Sequence, residues 1–223
     1  MKLVIFDLDG TLINTAIGLN RCMNYALTKH GLPAISLSQT QTYVGNGIYE
    51  YSVRSVMRSY DAVIAGRKTK ELCDLVNADF SEKYEKDGLD GCVLYDGIAE
   101  TLITLKKHGI KLAILSNKAQ FATDIFYKTF LSDFDFDLVI GQRDGLKLKP
   151  APDGLISILN LTGIDKADAL MVGDGETDYL AASSAGVKCL SALWGYRNKD
   201  TLKKAGSTFF ITAPEEIIKY AVD

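Results

Sequence analysis

The chain reads as an α/β protein, a parallel sheet covered by helices, with an all-helical segment inserted near its start. Three observations carry this reading. Leu3 to Phe6 is a short apolar, β-branched run without polar alternation, as expected of a strand buried on both faces. From Leu94 onward, strand-like and helix-like patterns alternate, which is how a parallel sheet with crossover helices is written. Between about Asn14 and Tyr84, apolar residues recur only at helical spacing. The expected division is therefore residues 1–14 and 88–223 as the α/β core, and residues 15–87 as the helical insertion.

Each element has its own signal. Gly10 ends the first strand. Ile17, Leu19, Cys22, Met23, Ala26 and Leu27 give a helical stripe that stops at His30-Gly31. A polar patch from Ser36 to Thr42 leads to Val44-Gly45-Asn46-Gly47, a turn or a close backbone approach. Val53, Val56 and Met57 mark one further helix, and Leu72, Leu75, Val76 and Phe80 another. In the second half, Ile98, Leu102 and Leu105 form a helix ending at His108-Gly109, and Lys111 to Leu115 a strand running into Ser116-Asn117-Lys118. Ala122 to Leu131 reads as a helix, Phe136 to Ile140 as a strand, and Pro152 as the first residue of a helix reaching Gly163. Ala169 to Val172 is a strand ending in Gly173-Asp174. Ala181, Ala182 and Ala185 lie on a small-residue helix closed by Gly186, and Val187 to Ser191 is the next strand. Thr208 to Ile211 and Glu215 to Ala221 finish the core, and Lys199, Lys203 and Lys204 read as a solvated helix face.

Composition narrows the function classes. The 223 residues are 47% hydrophobic and 24% charged, an ordinary globular balance with ample material for a core. A net charge of -3 offers no general attraction to nucleic acid or to an anionic membrane, so any phosphate site must be local. Asp7 interrupts the first apolar run too early for a signal peptide, and no later run approaches the roughly 20 residues of a membrane span. A cytoplasmic protein is expected. Cys22, Cys73, Cys92 and Cys189 have no metal-ligand spacing and read as reduced, buried thiols. His30 and His108 each precede a glycine and read as helix ends rather than zinc ligands. The oligomeric state is not written in these features.

Chemistry gathers at the ends of the strands. Asp7 and Asp9 share one side of the first strand, because side chains alternate. Alone they suit a strand cap and turn as well as they suit a cation site. Ser116-Asn117-Lys118 alone suits a turn, Lys149 alone a surface position, and Asp174 with Asp178 the N-terminus of a helix. In open parallel sheets, however, ligands bind beyond the carboxyl ends of the strands, so these groups should converge, with Lys149 reaching in from a loop. Two carboxylates, a hydroxyl, a lysine and a second acidic pair fit phosphoryl transfer through an aspartyl-phosphate, with a hard cation between the anions. Response-regulator receivers use similar groups, but their phosphorylated Asp follows the third strand. Here the acids open the chain.

That order resembles the haloacid dehalogenase-like hydrolases over essentially the whole chain. Asp7-Leu8-Asp9-Gly10-Thr11-Leu12 is similar to their first motif, and Leu115-Ser116-Asn117-Lys118 to the second. Lys149-Pro150-Ala151-Pro152-Asp153 is similar to the third, and Gly173-Asp174 through Asp178 to the fourth. Trp194-Gly195-Tyr196 and the insertion carrying Gly45 and Gly47 resemble the phosphoglycolate phosphatase-like branch. Gly175 stands where many relatives carry a serine. Asp9 sets the chain apart from the dehalogenase and phosphonatase branches.

The resemblance implies a Rossmann-like core with a helical cap, magnesium as cofactor and a small phosphorylated metabolite as substrate. It makes Asp7 the nucleophile and Asp9 the acid and base, with the Asp9 backbone carbonyl also on magnesium. Ser116 and Lys149 would hold the phosphoryl group, with Gly10 and Asn117 as further substrate contacts. Asp174 would bind magnesium, and Asp178 would orient the metal shell. Gly45 and Gly47, with Tyr43 or Tyr49, are candidate substrate contacts from the cap. A phosphomutase or a non-catalytic regulatory protein on the same fold are the alternatives.

Overall fold

The computed structural model describes residues 1–60 and 69–222. Its contacts divide the chain into two compact units, Met1–Asn14 with Val93–Asp223, and Thr15–Cys92. The second junction therefore falls at Cys92 rather than at residue 87. The first strand, β1 (Leu3–Phe6), is buried along its whole length, as its unbroken apolar run requires. A tight turn through Gly10 leads to a two-residue strand, β2 (Ile13–Asn14), where the chain enters the helical unit.

The helical unit holds α1 (Ala16–Lys29), α2 (Leu37–Tyr43), α3 (Ile48–Tyr60) and α4 (Thr69–Asp87). Residues 61–68 of the expected insertion lie outside the described residues. α1 buries Leu19, Cys22, Met23, Ala26 and Leu27 and ends at His30, whose N–H donates to Leu27 O, while Gly31 N–H donates to Thr28 O. Ile17 stays exposed. In the sequence α2 shows only as a polar patch. Its helix is fixed at its start by a capping box, in which Ser36 Oγ accepts from Gln39 N at 3.1 Å and Gln39 Oε1 from Ser36 N at 2.8 Å. The core joins Tyr51 and Val56 to Leu72, Val76, Phe80 and Tyr84, with Tyr51 edge-on to Phe80 at 5.6 Å. Met57 and Leu75, placed in the expected stripes, are exposed.

The chain returns to the first unit through β3 (Val93–Leu94), which pairs antiparallel with β2. It then alternates as α5 (Ile98–Lys107), β4 (Lys111–Ala119), α6 (Gln120–Phe126), β5 (Leu138–Gln142), α7 (Asp153–Thr162), β6 (Ala169–Gly173), α8 (Glu176–Ala185), β7 (Lys188–Ala192), α9 (Lys199–Lys204), β8 (Phe210–Ile211) and α10 (Glu216–Ala221). The six-stranded sheet has the order β5-β4-β1-β6-β7-β8, and every pair in it is parallel. β1 thus lies between β4 and β6, and its carboxyl end opens at the point where the chain order diverges. Leu3 and Ile5 pack with Leu155 and Ile158 of α7 and with Ala181 and Ala182 of α8. Burying a side chain such as Leu155 stabilises the fold by about 1.5–3 kcal/mol, and the two alanines let α8 approach closely.

Three local departures bear on the site. β4 does not end at Leu115 but continues through Ala119, with a register shift between those residues. Such a bulge re-aims the side chains it carries, here Ser116, Asn117 and Lys118. The expected helix Ala122 to Leu131 is α-helical only to Phe126 and continues as a π-helical turn, Tyr127–Leu131. Pro152 sits one position ahead of α7 rather than at its first residue.

Candidate active site

Asp7 is the first residue beyond β1, and its N–H donates to Val172 O of β6 at 2.9 Å. Its Oδ1 lies 2.8 Å from Lys149 Nζ. That ammonium, 3% exposed, also donates to Asp178 Oδ1 at 2.7 Å and to Leu115 O at 2.8 Å, which uses all three of its protons. Lys149 belongs to the loop between β5 and α7, and a loop lysine needs an anchor to hold such a position. Asn117 supplies it: Oδ1 accepts from Lys149 N and Nδ2 donates to Lys149 O, both at 2.8 Å.

Asp174 follows β6. Its Oδ1 accepts from Thr11 Oγ1 at 3.1 Å and its Oδ2 from Tyr196 N at 2.6 Å. The turns around it leave no room for side chains. A Cβ on Gly10, whose φ is +86, would lie 2.8 Å from Asp174 Cγ. A Cβ on Gly195 would overlap both Asp174 Cβ and the carbonyl oxygen of Gly10. Trp194 Nε1 closes the arrangement by donating to Thr11 O at 3.0 Å. Asp178 caps the start of α8, its Oδ2 accepting from Gly175 N at 2.9 Å.

Two acids, Asp7 and Asp178, thus share one lysine, with Asp174 close to both of them. Burial raises the Asp7 carboxyl well above its usual range; Lys149 opposes the rise, and Asp178 and Asp174 add to it. Burial likewise pushes Asp174 up to about 7, reinforced by Asp178 and opposed by Tyr196 N–H, Arg197 and Thr11. Burial alone would lower the Lys149 ammonium, but Asp178 and Asp7 outweigh it and the net direction is upward. Among the described residues, Asp7, Asp174 and Asp178 offer carboxylate oxygens that all lie within 4.8 Å of one another. An all-oxygen donor set carrying excess negative charge fits a hard divalent cation. Asp178, expected to orient this shell, belongs to the cluster, with Oδ1 on Lys149 Nζ and Oδ2 on Gly175 N.

Asp9 has a lysine of its own. Both of its carboxyl oxygens meet Lys118 Nζ, at 2.9 and 2.8 Å. Ser116 is buried beside this pair, and its Oγ accepts from Lys118 N at 3.2 Å. The bulged end of β4 therefore serves two partners, Lys149 through Asn117 and Asp9 through Lys118.

The structure brings Asp7, Gly10, Asn117, Lys149, Asp174 and Asp178 into one contiguous set. Asn117 engages the backbone of Lys149, and Gly10 N–H donates to Ile13 O at 2.9 Å, so both have structural duties beside the expected substrate contact. Gly45 and Gly47 lie in the helical unit between α2 and α3, with φ of 110 and 87. There Arg54 joins Glu50 at 2.8 Å and the carbonyl of Tyr43 at 3.3 Å. Tyr49 donates to Asp74 Oδ1 at 2.8 Å. Sequence reasoning missed Thr11, Lys118 and the N–H of Tyr196. A lysine within a buried strand calls for an acidic partner, and that signal was available for Lys118. A backbone donor such as Tyr196 has no signature in sequence.

Residues 4–192 match the family model described as haloacid dehalogenase-like hydrolase. The chain is 32% identical over 197 residues to a phosphoglycolate phosphatase of Yersinia pestis, covering 86% of this chain and 81% of that one. It is 30% identical over 213 residues to a phosphoglycolate phosphatase of Photorhabdus laumondii, with coverages of 95% and 88%. A solved structure described as a predicted phosphoglycolate phosphatase, from Haemophilus somnus 129PT, superposes with a TM-score of 0.89 at 27% identity, over 99% of this chain and 97% of that one. With the match spanning all four strand-end motifs, the chain belongs to the haloacid dehalogenase-like hydrolases.

Proposed function

We propose that the protein is a magnesium-dependent phosphatase of small phosphomonoesters, phosphoglycolate or a close analogue among them. The reading is carried by the half-buried Asp7 carboxylate, aligned by Lys149 and flanked by Asp174 and Asp178. Asp7 attacks phosphorus as the bond to the ester oxygen breaks, and Asp9 gives that oxygen its proton. Water then attacks the Asp7-bound phosphoryl group while Asp9 takes a proton from it, and inorganic phosphate leaves Asp7 as it was. Lys149 holds nucleophile and phosphoryl group together, and Ser116 donates to the phosphoryl oxygens. Asp7, the Asp9 carbonyl and Asp174, with Asp178 beside them, would hold magnesium, which would offset the negative charge of nucleophile and substrate. Substrate choice is assigned to the helical unit, with Gly45 and Gly47 as its candidate contacts. Among the described residues, no helix is long and apolar enough to cross a membrane. With a net charge of -3, this suits a chain acting on a small metabolite in the cytoplasm.

The test is phosphate release from a panel of small esters that includes phosphoglycolate, with and without magnesium, with Asp7→Asn as control. Magnesium-dependent release that is lost in Asp7→Asn is expected, and the ranking of esters names the substrate class. Turnover retained in that variant refutes the covalent mechanism. Absence of release from every ester turns the assignment toward phosphoryl transfer within one sugar or toward regulation.

A further inference from the structure

Lys118 is a buried cation that the chemistry above does not use. It is 5% exposed, and each of its polar groups is engaged. Its N–H donates to Ser116 Oγ at 3.2 Å, its carbonyl accepts from Thr123 Oγ1 at 3.2 Å, and its ammonium spans both oxygens of Asp9. The same ammonium lies 4.6 Å from the centre of the Phe126 ring, at the start of the π-helical turn. The Asp9 side chain is by contrast 20% exposed. The terminal torsion of a carboxyl is soft, so its rotamer alone does not fix its plane; two contacts from one immobile ammonium do.

We propose that Lys118 is a positioning residue that sets the plane of the Asp9 carboxyl against the leaving oxygen of the ester. This rests on the reading of Asp9 as proton donor and acceptor. In the first half-reaction the electron pair of the breaking bond between phosphorus and the ester oxygen goes to that oxygen, which takes the proton from Asp9. In the second, a proton of water passes to Asp9 as the water oxygen bonds phosphorus and the bond to Asp7 breaks. When one Asp9 oxygen carries the proton, the other still accepts from Lys118, so the orientation is kept in both halves. A displacement of roughly 1 Å at such a group lowers the rate by about 100-fold.

The experiment compares kcat/KM for an aryl ester, p-nitrophenyl phosphate, whose leaving oxygen needs no proton, with that for an alkyl ester, glycerol phosphate. It uses the parent, Lys118→Met, Lys118→Arg and Asp9→Asn. For Lys118→Met the expected result is a loss of about 100-fold on the alkyl ester and only a few-fold on the aryl ester. A burst of p-nitrophenol should also appear, because hydrolysis of the Asp7-bound phosphoryl group slows while its formation does not. Lys118→Arg keeps a cation within reach of the carboxyl and should restore part of the alkyl activity; it also serves if Lys118→Met fails to fold. Equal losses on both esters with Lys118→Met, beside an unequal loss with Asp9→Asn, overturn the proposal and make Lys118 a phosphate contact or a support of the fold. Equal losses with Asp9→Asn itself overturn the reading of Asp9, and the role of Lys118 with it.

Discussion

Asp174→Asn removes a charge from a buried place where Asp7, Asp174 and Asp178 crowd together. The carboxyl is raised from 3.8 to about 7, first by burial and then by Asp178. Because the folded state holds this proton more tightly than the unfolded chain does, stability is greatest below the unfolded value and falls as pH rises through about 7. The rise corresponds to about 4 kcal/mol of stability lost across that window in protein free of bound cation. The amide fits the place. Its oxygen accepts from Tyr196 N, and the Thr11 hydroxyl reverses to accept from its nitrogen. In EDTA at about pH 8, Asp174→Asn should therefore be more stable than the parent by several kcal/mol, and near pH 4 the two should converge. Urea unfolding at both pH values measures this. Magnesium added at the higher pH should stabilise the parent and leave the variant where it was. A variant no more stable than the parent in EDTA at the higher pH would refute the account of the acidic cluster.

Two further substitutions probe the scaffold. Gly195→Ala forces a methyl group into Asp174 and the backbone of Gly10, so it should destabilise the fold by about 1–3 kcal/mol and raise the magnesium concentration needed for half-maximal activity. Melting curves and a magnesium titration read the two effects separately. Ser36→Ala deletes one half of the capping box of α2 and should lower stability by about 1 kcal/mol in thermal or urea unfolding while leaving kcat on the aryl ester unchanged. An unchanged unfolding curve would show that the helix does not depend on its cap.

What the sequence disclosed depended on how far the determining forces are local. Leu3 to Phe6 and Ala169 to Val172 were readable because a strand buried on both faces has to be apolar throughout. The glycines at 163 and 186 mark helix ends because each takes a left-handed conformation there. α2 escaped because it buries only Thr40 and has no apolar period; its evidence lay in the pairing of Ser36 with Gln39. β2 and β3, two residues each, are defined by their pairing with each other. Asp7, Lys149 and Asp174 stood out as charged residues at strand ends. The bond from Tyr196 N and the choice of Asp9 as the acid that meets Lys118 depend on where distant segments are brought by the sheet, and composition carries no trace of that.

The antiparallel pairing of β2 with β3 has a topological consequence. The chain leaves the sheet-bearing unit at Asn14 and returns to it at Val93, on two strands held side by side. Adjacent strands lie about 4.8 Å apart, so the intervening helices are required only to start and finish within one strand spacing. The entropy of closing such an excursion grows logarithmically, and doubling its length costs only about 0.6 kcal/mol. The strand pair therefore acts as a socket of fixed width, through which helical inserts of other lengths and sequences are interchangeable while Asp7, Lys149 and Asp174 keep their places.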